Sequence, residues 1–257
     1  MTTQIKEPSI YIAKPFDQAL KSLAERDYRI ISLAENAKLR IQEGFNSDIS
    51  KNGNYVREGV IYNPNENPIL ARRSPILDAP KEATSANRNG RKYFLSKEQL
   101  EKAKESGFYE LPNKNFNIPT NRFGEEGLTV FAFGTSEGKD LKQDAKDAEK
   151  YGLFLRGKAD IKGMPIYLAD ADHVNSQKEP FAKQMWFSGL DYRSVLNGVN
   201  WDLIFNDGVR GVPQETGEAS SQKIISYTPK QIGKVLEKLK LSDLERQILD
   251  SLRNKNY

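Results

Sequence analysis

Apolar residues in this chain fall in short runs rather than one long period, and their spacing divides the molecule into three parts. Residues 9–13 read as a short strand, and Pro15 followed by Phe16, Leu20, Leu23 and Ala24 predicts a first helix over residues 15–26. From residue 28 to residue 77 the pattern is β-like. The segments 28–33, 38–42, 54–57 and 59–62 alternate or cluster β-branched and aromatic residues, and glycine and asparagine turns separate them. The stretch 63–68, with Pro64 and Pro68, predicts a hairpin loop between two antiparallel strands.

Residues 78–91 are small and polar, the composition of an exposed loop. Ser96 and Gln99 then form a capping box for a helix that should stop near Gly107. The organising stretch is residues 127–173. Leu128, Val130, Phe131, Ala132 and Phe133 make an unbroken apolar run, which predicts a strand. A glycine-bearing loop follows, then an amphipathic helix over 140–151, with Leu141, Ala145, Ala148 and Gly152 on one face, and then a second strand at 165–169. Residues 178–212 hold both tryptophans, Trp186 and Trp201, among Phe181, Phe187, Tyr192 and Phe205. Near the end, Thr228 with Pro229 and Ser242 with Glu245 cap two amphipathic helices.

The expected fold is therefore α+β: a β-rich, mostly antiparallel N-terminal half, a central strand-helix-strand unit and two C-terminal helices. Residues 1–257 are expected to form a single mixed domain. The alternative is a split into a basic β-rich part, 1–115, and an α/β part with a helical tail, 116–257.

Composition narrows the chemistry. The chain has no cysteine and one histidine, His173, which excludes disulfides, thiolate metal sites, cysteine nucleophiles and multi-histidine metal centres. No run approaches the length of a membrane helix and residues 1–17 lack an apolar leader, so no membrane partner and a cytoplasmic location are expected. The net charge of +4 is uneven. Through Phe123 there are 20 Lys+Arg against 15 Asp+Glu, and from Gly124 onward 19 against 20.

Three sets of residues carry candidate chemistry. Gly134, Thr135, Ser136, Gly138 and Lys139 sit in a loop that opens a helix, where backbone amides and the helix dipole can hold an anion. The spacing falls short of a P-loop, which needs four residues between its glycines and a hydroxyl residue after the lysine. Asp170, Asp172 and His173 close the second strand and offer hard oxygen ligands plus one imidazole, suited to a divalent metal such as magnesium. Arg72, Arg73, Arg88, Arg91 and Lys92, the last beside Tyr93 and Phe94, offer phosphate contacts next to aromatic rings. The first functional expectation is a basic protein that binds nucleic acid or another polyanion through its first half. The alternatives are a small metal-dependent hydrolase or transferase using Asp170, Asp172 and His173, and a noncatalytic interaction or assembly subunit with a protein partner on the aromatic region.

Overall fold

The computed structural model describes residues 8–199, 203–204 and 208–214. The capped helix pair expected from Thr228 and Ser242, and the aromatics Trp201 and Phe205, lie outside the described residues. In chain order the elements are β1 (Ile10–Ile12), α1 (Phe16–Ala24), β2 (Tyr28–Ile30), α2 (Leu33–Glu43), α3 (Asp48–Lys51), β3 (Asn54–Tyr62), β4 (Ile69–Ala71) and α4 (Pro80–Arg88). Then come β5 (Tyr93–Phe94), α5 (Lys97–Glu105), β6 (Phe108–Glu110), β7 (Phe116–Pro119), α6 (Gly127–Phe133), α7 (Leu141–Ala159), β8 (Gly163–Tyr167), α8 (Ala171–Asn175), β9 (Phe181–Phe187), β10 (Leu196–Asn197) and β11 (Val209–Pro213). No helix among the described residues is long and apolar enough to cross a membrane.

All eleven strands belong to one sheet, whose spine runs β1-β11-β3-β9-β10-β8-β7, with β2 beside β11, β4 beside β3, β6 beside β4 and β5 beside β9. Strands from before and after residue 115 are interleaved in it. The sheet is mixed: β3 runs parallel to β11 and β8 parallel to β10. This corrects the expectation of a mostly antiparallel β-rich half, because β3 takes as neighbours strands from the far end of the chain.

Two apolar layers flank the sheet. Along β3, Val56, Val60 and Tyr62 enter one cluster while Tyr55 and Ile61 enter the other, and β9 divides its residues in the same way. This is the two-residue period of a strand buried on both faces. The first cluster is closed by α2, α6 and α7 through Leu33, Ala37, Phe131, Phe133, Ala148, Tyr151 and Leu155. The second is closed by α1, α4 and α5 through Phe16, Leu23, Ala83, Leu100 and Ala103.

Three segments differ from expectation. Residues 38–42 are helical, because Ser32 and Glu35 form a capping box that starts α2 ahead of them. Arg29 clamps the Glu35 carboxylate with bonds of 2.9 and 2.5 Å. Residues 127–133 form the helix α6 rather than a strand, so the central unit is helix-helix-strand. Leu128 through Phe133 are all buried, and a run that is apolar on every side has no period to tell a helix from a strand. Residues 80–88 are helical rather than a loop: Pro80 occupies the first turn, and Ala83 and Thr84 face the core. The hairpin at residues 63–68 does join β3 to β4, with Gly59 opposite Ala71, and the Ser96–Gln99 capping box does start α5.

Candidate functional site

One phenol gathers the carboxyl ends of three strands. Tyr62, the last residue of β3, donates its hydroxyl to the Gly198 carbonyl after β10 (3.2 Å) and accepts from the Ala169 amide after β8 (3.1 Å). Burial pushes the phenol pKa well up, so the proton it donates is held. Gly198 has to be glycine for this approach, since a Cβ there would stand 2.8 Å from a Val60 methyl carbon. At the same end Asn115 accepts from the Leu168 amide (2.7 Å), and the hairpin after β3 meets α8 where the Asn65 amide donates to Asn175 (2.8 Å). β9 begins here too, with Phe181 opposite both Tyr62 and Phe94.

Asp170, Asp172 and His173 lie at this end of the sheet. Asp170 is the N-cap of α8, and one oxygen of its carboxylate accepts the amides of Asp172 (3.0 Å) and His173 (3.1 Å). That capping engages one of the two carboxylate oxygens. Among the described residues no group of three histidine or acidic side chains is arranged to hold a metal ion.

The loop of Gly134, Thr135, Ser136, Gly138 and Lys139 already holds an anion of its own. The Ser136 and Gly138 amides each donate to the Asp144 carboxylate at 2.7 Å, and Asp144 is only 1% exposed. Burial raises the Asp144 pKa and these amide bonds work against that rise. Thr135 bonds Asp147 through both its amide and its hydroxyl. A Cβ on Gly134 would lie 2.3 Å from the Asp144 side chain, so the residue must be glycine for the carboxylate to reach the loop. An external anion at Ser136 and Gly138 would have to displace Asp144.

The five candidate cations divide into two groups. Arg72 is 6% exposed; its guanidinium donates to the Phe131 carbonyl (3.1 Å) and lies 4.0 Å over the Phe131 ring. Arg73 is paired with Asp78 at 2.9 Å, an acid that Lys102 also contacts. The Arg72 guanidinium is enclosed, whereas Arg73 stands at the surface in its ion pair. Arg88, Arg91 and Lys92 are different. Arg88 ends α4, Gly90 turns the chain with φ 67°, and the Arg91 amide closes the turn on the Ala86 carbonyl (2.9 Å). The Lys92 ammonium stands 5.3 Å over the Phe181 ring. Arg88 and Arg91 are exposed, and none of the three forms an ion pair among the described residues. Phe94 follows, 41% exposed, its ring and that of Phe181 meeting edge to face.

The chain as a whole is similar to a solved structure reported as showing accommodation of massive sequence variation in Nanoarchaeota by the C-type lectin fold. The two are 14% identical, the match covers 82% of this chain and 98% of that one, and the TM-score is 0.55. The likeness is one of fold. No protein-family model matches the chain, and no curated protein matches it in sequence.

Within this C-type lectin-like frame, two buried polar centres escaped the sequence reading. Arg40, with 0% exposure, donates to the Ile49 carbonyl (3.1 Å), the Tyr151 hydroxyl (3.1 Å), Ser194 (3.3 Å) and the Ser188 carbonyl (2.8 Å), and it lies 4.0 Å over Phe187. It ties α2 to α7 and to the turn after β9. Glu58, 3% exposed, sits where the register of β3 against β9 shifts between Tyr55 and Gly59. The bulge turns its carboxylate onto the Leu33 amide at the start of α2 (3.0 Å), with the Arg57 guanidinium 3.7 Å away, while Gln184 donates to the Glu58 carbonyl (3.0 Å). Burial pushes the Glu58 pKa up to about 7 in spite of Arg57. Each has another charged residue within two positions in sequence, so the pattern does not separate it from one on the solvent face.

Proposed function

We propose that this protein is a binding module that engages a polyanion through the turn bearing Arg88, Arg91 and Lys92. The observation that carries the reading is the division of the cations. Arg72 is buried on an internal carbonyl and ring and Arg73 is paired with Asp78 at the surface, while these three lie close in sequence on an ordered turn with no acidic partner among the described residues. Guanidinium and ammonium groups left free in this way are the groups that neutralise phosphates or sulfates. The fold likeness supports a module of this kind. The similar structure is reported as a fold that accommodates massive sequence variation, and on such a frame specificity resides in exposed side chains rather than in the scaffold.

Fluorescence anisotropy with a labelled oligonucleotide tests the reading. Affinity should fall with salt with a log-log slope of about −2 to −3, as expected for three phosphate contacts. The triple substitution Arg88→Ala, Arg91→Ala and Lys92→Ala should remove most of that slope. Replacing Lys142, Lys146 and Lys150 of α7 with alanine alters net charge equally and should change little. Equal losses in both variants would reduce the attraction to net charge, and absence of binding at physiological salt would refute the proposal.

A further inference from the structure

We infer that the polyanion is a single-stranded nucleic acid, with the Phe94 ring as the platform on which one unstacked base rests. This rests on the polyanion reading and adds a ligand class to it. The argument begins with where Phe94 is and how firmly it is held. It lies on β5, a strand of two residues whose side chains point to opposite sides. Tyr93 turns inward and its hydroxyl accepts from Gln99 (2.9 Å); Phe94 turns outward.

The backbone around the ring is fixed on both sides. Phe94 pairs with Phe181 across the sheet, the Leu95 amide donates to the Pro180 carbonyl (2.8 Å), and Leu95 is buried just before the Ser96 cap starts α5. On this mount Phe94 still keeps 41% of its surface exposed. Its centroid is 6.5 Å from that of Phe181 at an interplanar angle of 79°, so the two rings meet edge to face. The three cations stand within six residues before it, on the turn that α4 closes.

An aromatic face beside backbone-neutralising cations is the arrangement that single strands use, because every base has a π face and stacking tolerates any sequence. A duplex does not fit the same surface. Its base faces are already stacked inside the helix, and an exposed phenyl ring on a short edge strand has no groove-reading donor to offer. The single strand therefore gains from both halves of the site, the duplex only from the cations.

The test compares a short oligothymidylate of about twelve nucleotides with an abasic oligomer of equal phosphate count and with a duplex of equal length. The oligothymidylate should bind at least about fivefold more tightly than the abasic oligomer. Phe94→Ala and Phe94→Leu should each abolish that preference while leaving the salt slope unchanged, and Phe94→Tyr should keep it. Phe94→Leu retains an apolar contact with Phe181 but has no π face, so it separates stacking from any loss of local structure. Equal affinity for the abasic oligomer, or a Phe94→Leu variant that keeps the preference, would overturn this inference with the polyanion reading intact. A salt slope unmoved by the triple cation substitution would overturn the polyanion reading itself.

Discussion

Replacing Glu58 with glutamine should change how stability depends on pH, and the structure supplies both sign and size. The wild-type carboxyl is buried against the Leu33 amide, and its pKa is pushed up to about 7 from an ordinary value of 4.5. Below pH 4.5 the group is protonated in both folded and unfolded chains and contributes no pH dependence. As pH rises towards 7, the unfolded chain releases the proton first, the folded chain binds more protons, and stability falls. At about 1.36 kcal/mol per pH unit, the rise from 4.5 to about 7 makes the full loss about 3 kcal/mol above pH 7. Glutamine has the shape of the neutral acid and does not titrate. In urea unfolding at several pH values, the stability of Glu58→Gln minus that of wild type should therefore climb by about 3 kcal/mol between pH 4.5 and 8. The nearby carboxylates Glu35 and Glu137 are half-buried, but the guanidiniums of Arg29 and Arg57 hold their pKa values below the ordinary range. Their contribution is present above pH 4.5 and lost as pH falls through their folded values, and being common to both chains it cancels in the difference. A difference that stays flat from pH 4.5 to 8 would show that Glu58 is ionised throughout and that Arg57 outweighs burial.

Three further substitutions probe the frame. Arg40→Ala should lower the unfolding free energy by about 4 kcal/mol, because it empties a core site and strands the Ile49 and Ser188 carbonyls; equilibrium denaturation reads this directly. Gly152→Ala, in the middle of α7, should destabilise by about 1 to 3 kcal/mol even though alanine is the better helix former, since the new Cβ would lie 2.2 Å from the Thr120 carbonyl oxygen; a gain in melting temperature would contradict the close approach. Asp170→Ala should cost about 1 kcal/mol by uncapping α8, and millimolar magnesium should leave the melting temperature of the wild type unchanged; a magnesium-dependent rise that Asp170→Asn abolishes would instead establish a metal site.

Where local chemistry decides a conformation, the sequence was legible. Pro64 and Pro68 bracket a real hairpin, and Ser96 with Gln99 starts a real helix, because turn and cap preferences act within a few residues. Where burial on all sides decides it, the pattern misled. The run from Leu128 to Phe133 is enclosed by the sheet and α7, and full enclosure erases the alternation that separates strand from helix. The candidate sites divide along the same line. That Asp170 can cap a turn is a local fact. That Asp144 fills the Gly134 loop depends on which way a helix residue faces, and that Arg72 lies over Phe131 depends on a contact spanning 59 residues. Neither pairing leaves a local signature.

The cation excess of the first half illustrates what charge counting can and cannot say. Twenty basic against fifteen acidic residues through Phe123 suggests a broad positive surface. The fold buries Arg40 and Arg72 and pairs Arg29 and Arg57 with acids. Arg40 lies among carbonyls and hydroxyls, Arg57 is joined to Glu137, Arg29 to Glu35 and Arg72 to a carbonyl and a ring. A buried guanidinium with five donors and a flat face is a cross-link as much as a charge, and it is tolerated because backbone carbonyls and aromatic faces absorb its donors and its charge. Part of the cation count of the first half thus lies in its interior. Exposed cations such as Arg26, Lys38, Lys51 and Lys81 remain scattered over the surface, whereas the short turn from Arg88 to Lys92 brings three cations that find no acid among the described residues next to the exposed Phe94. The comparison that bears on binding is therefore between this turn and an equal number of lysines on α7, because the two variants share a net charge and differ only in where the charge stands.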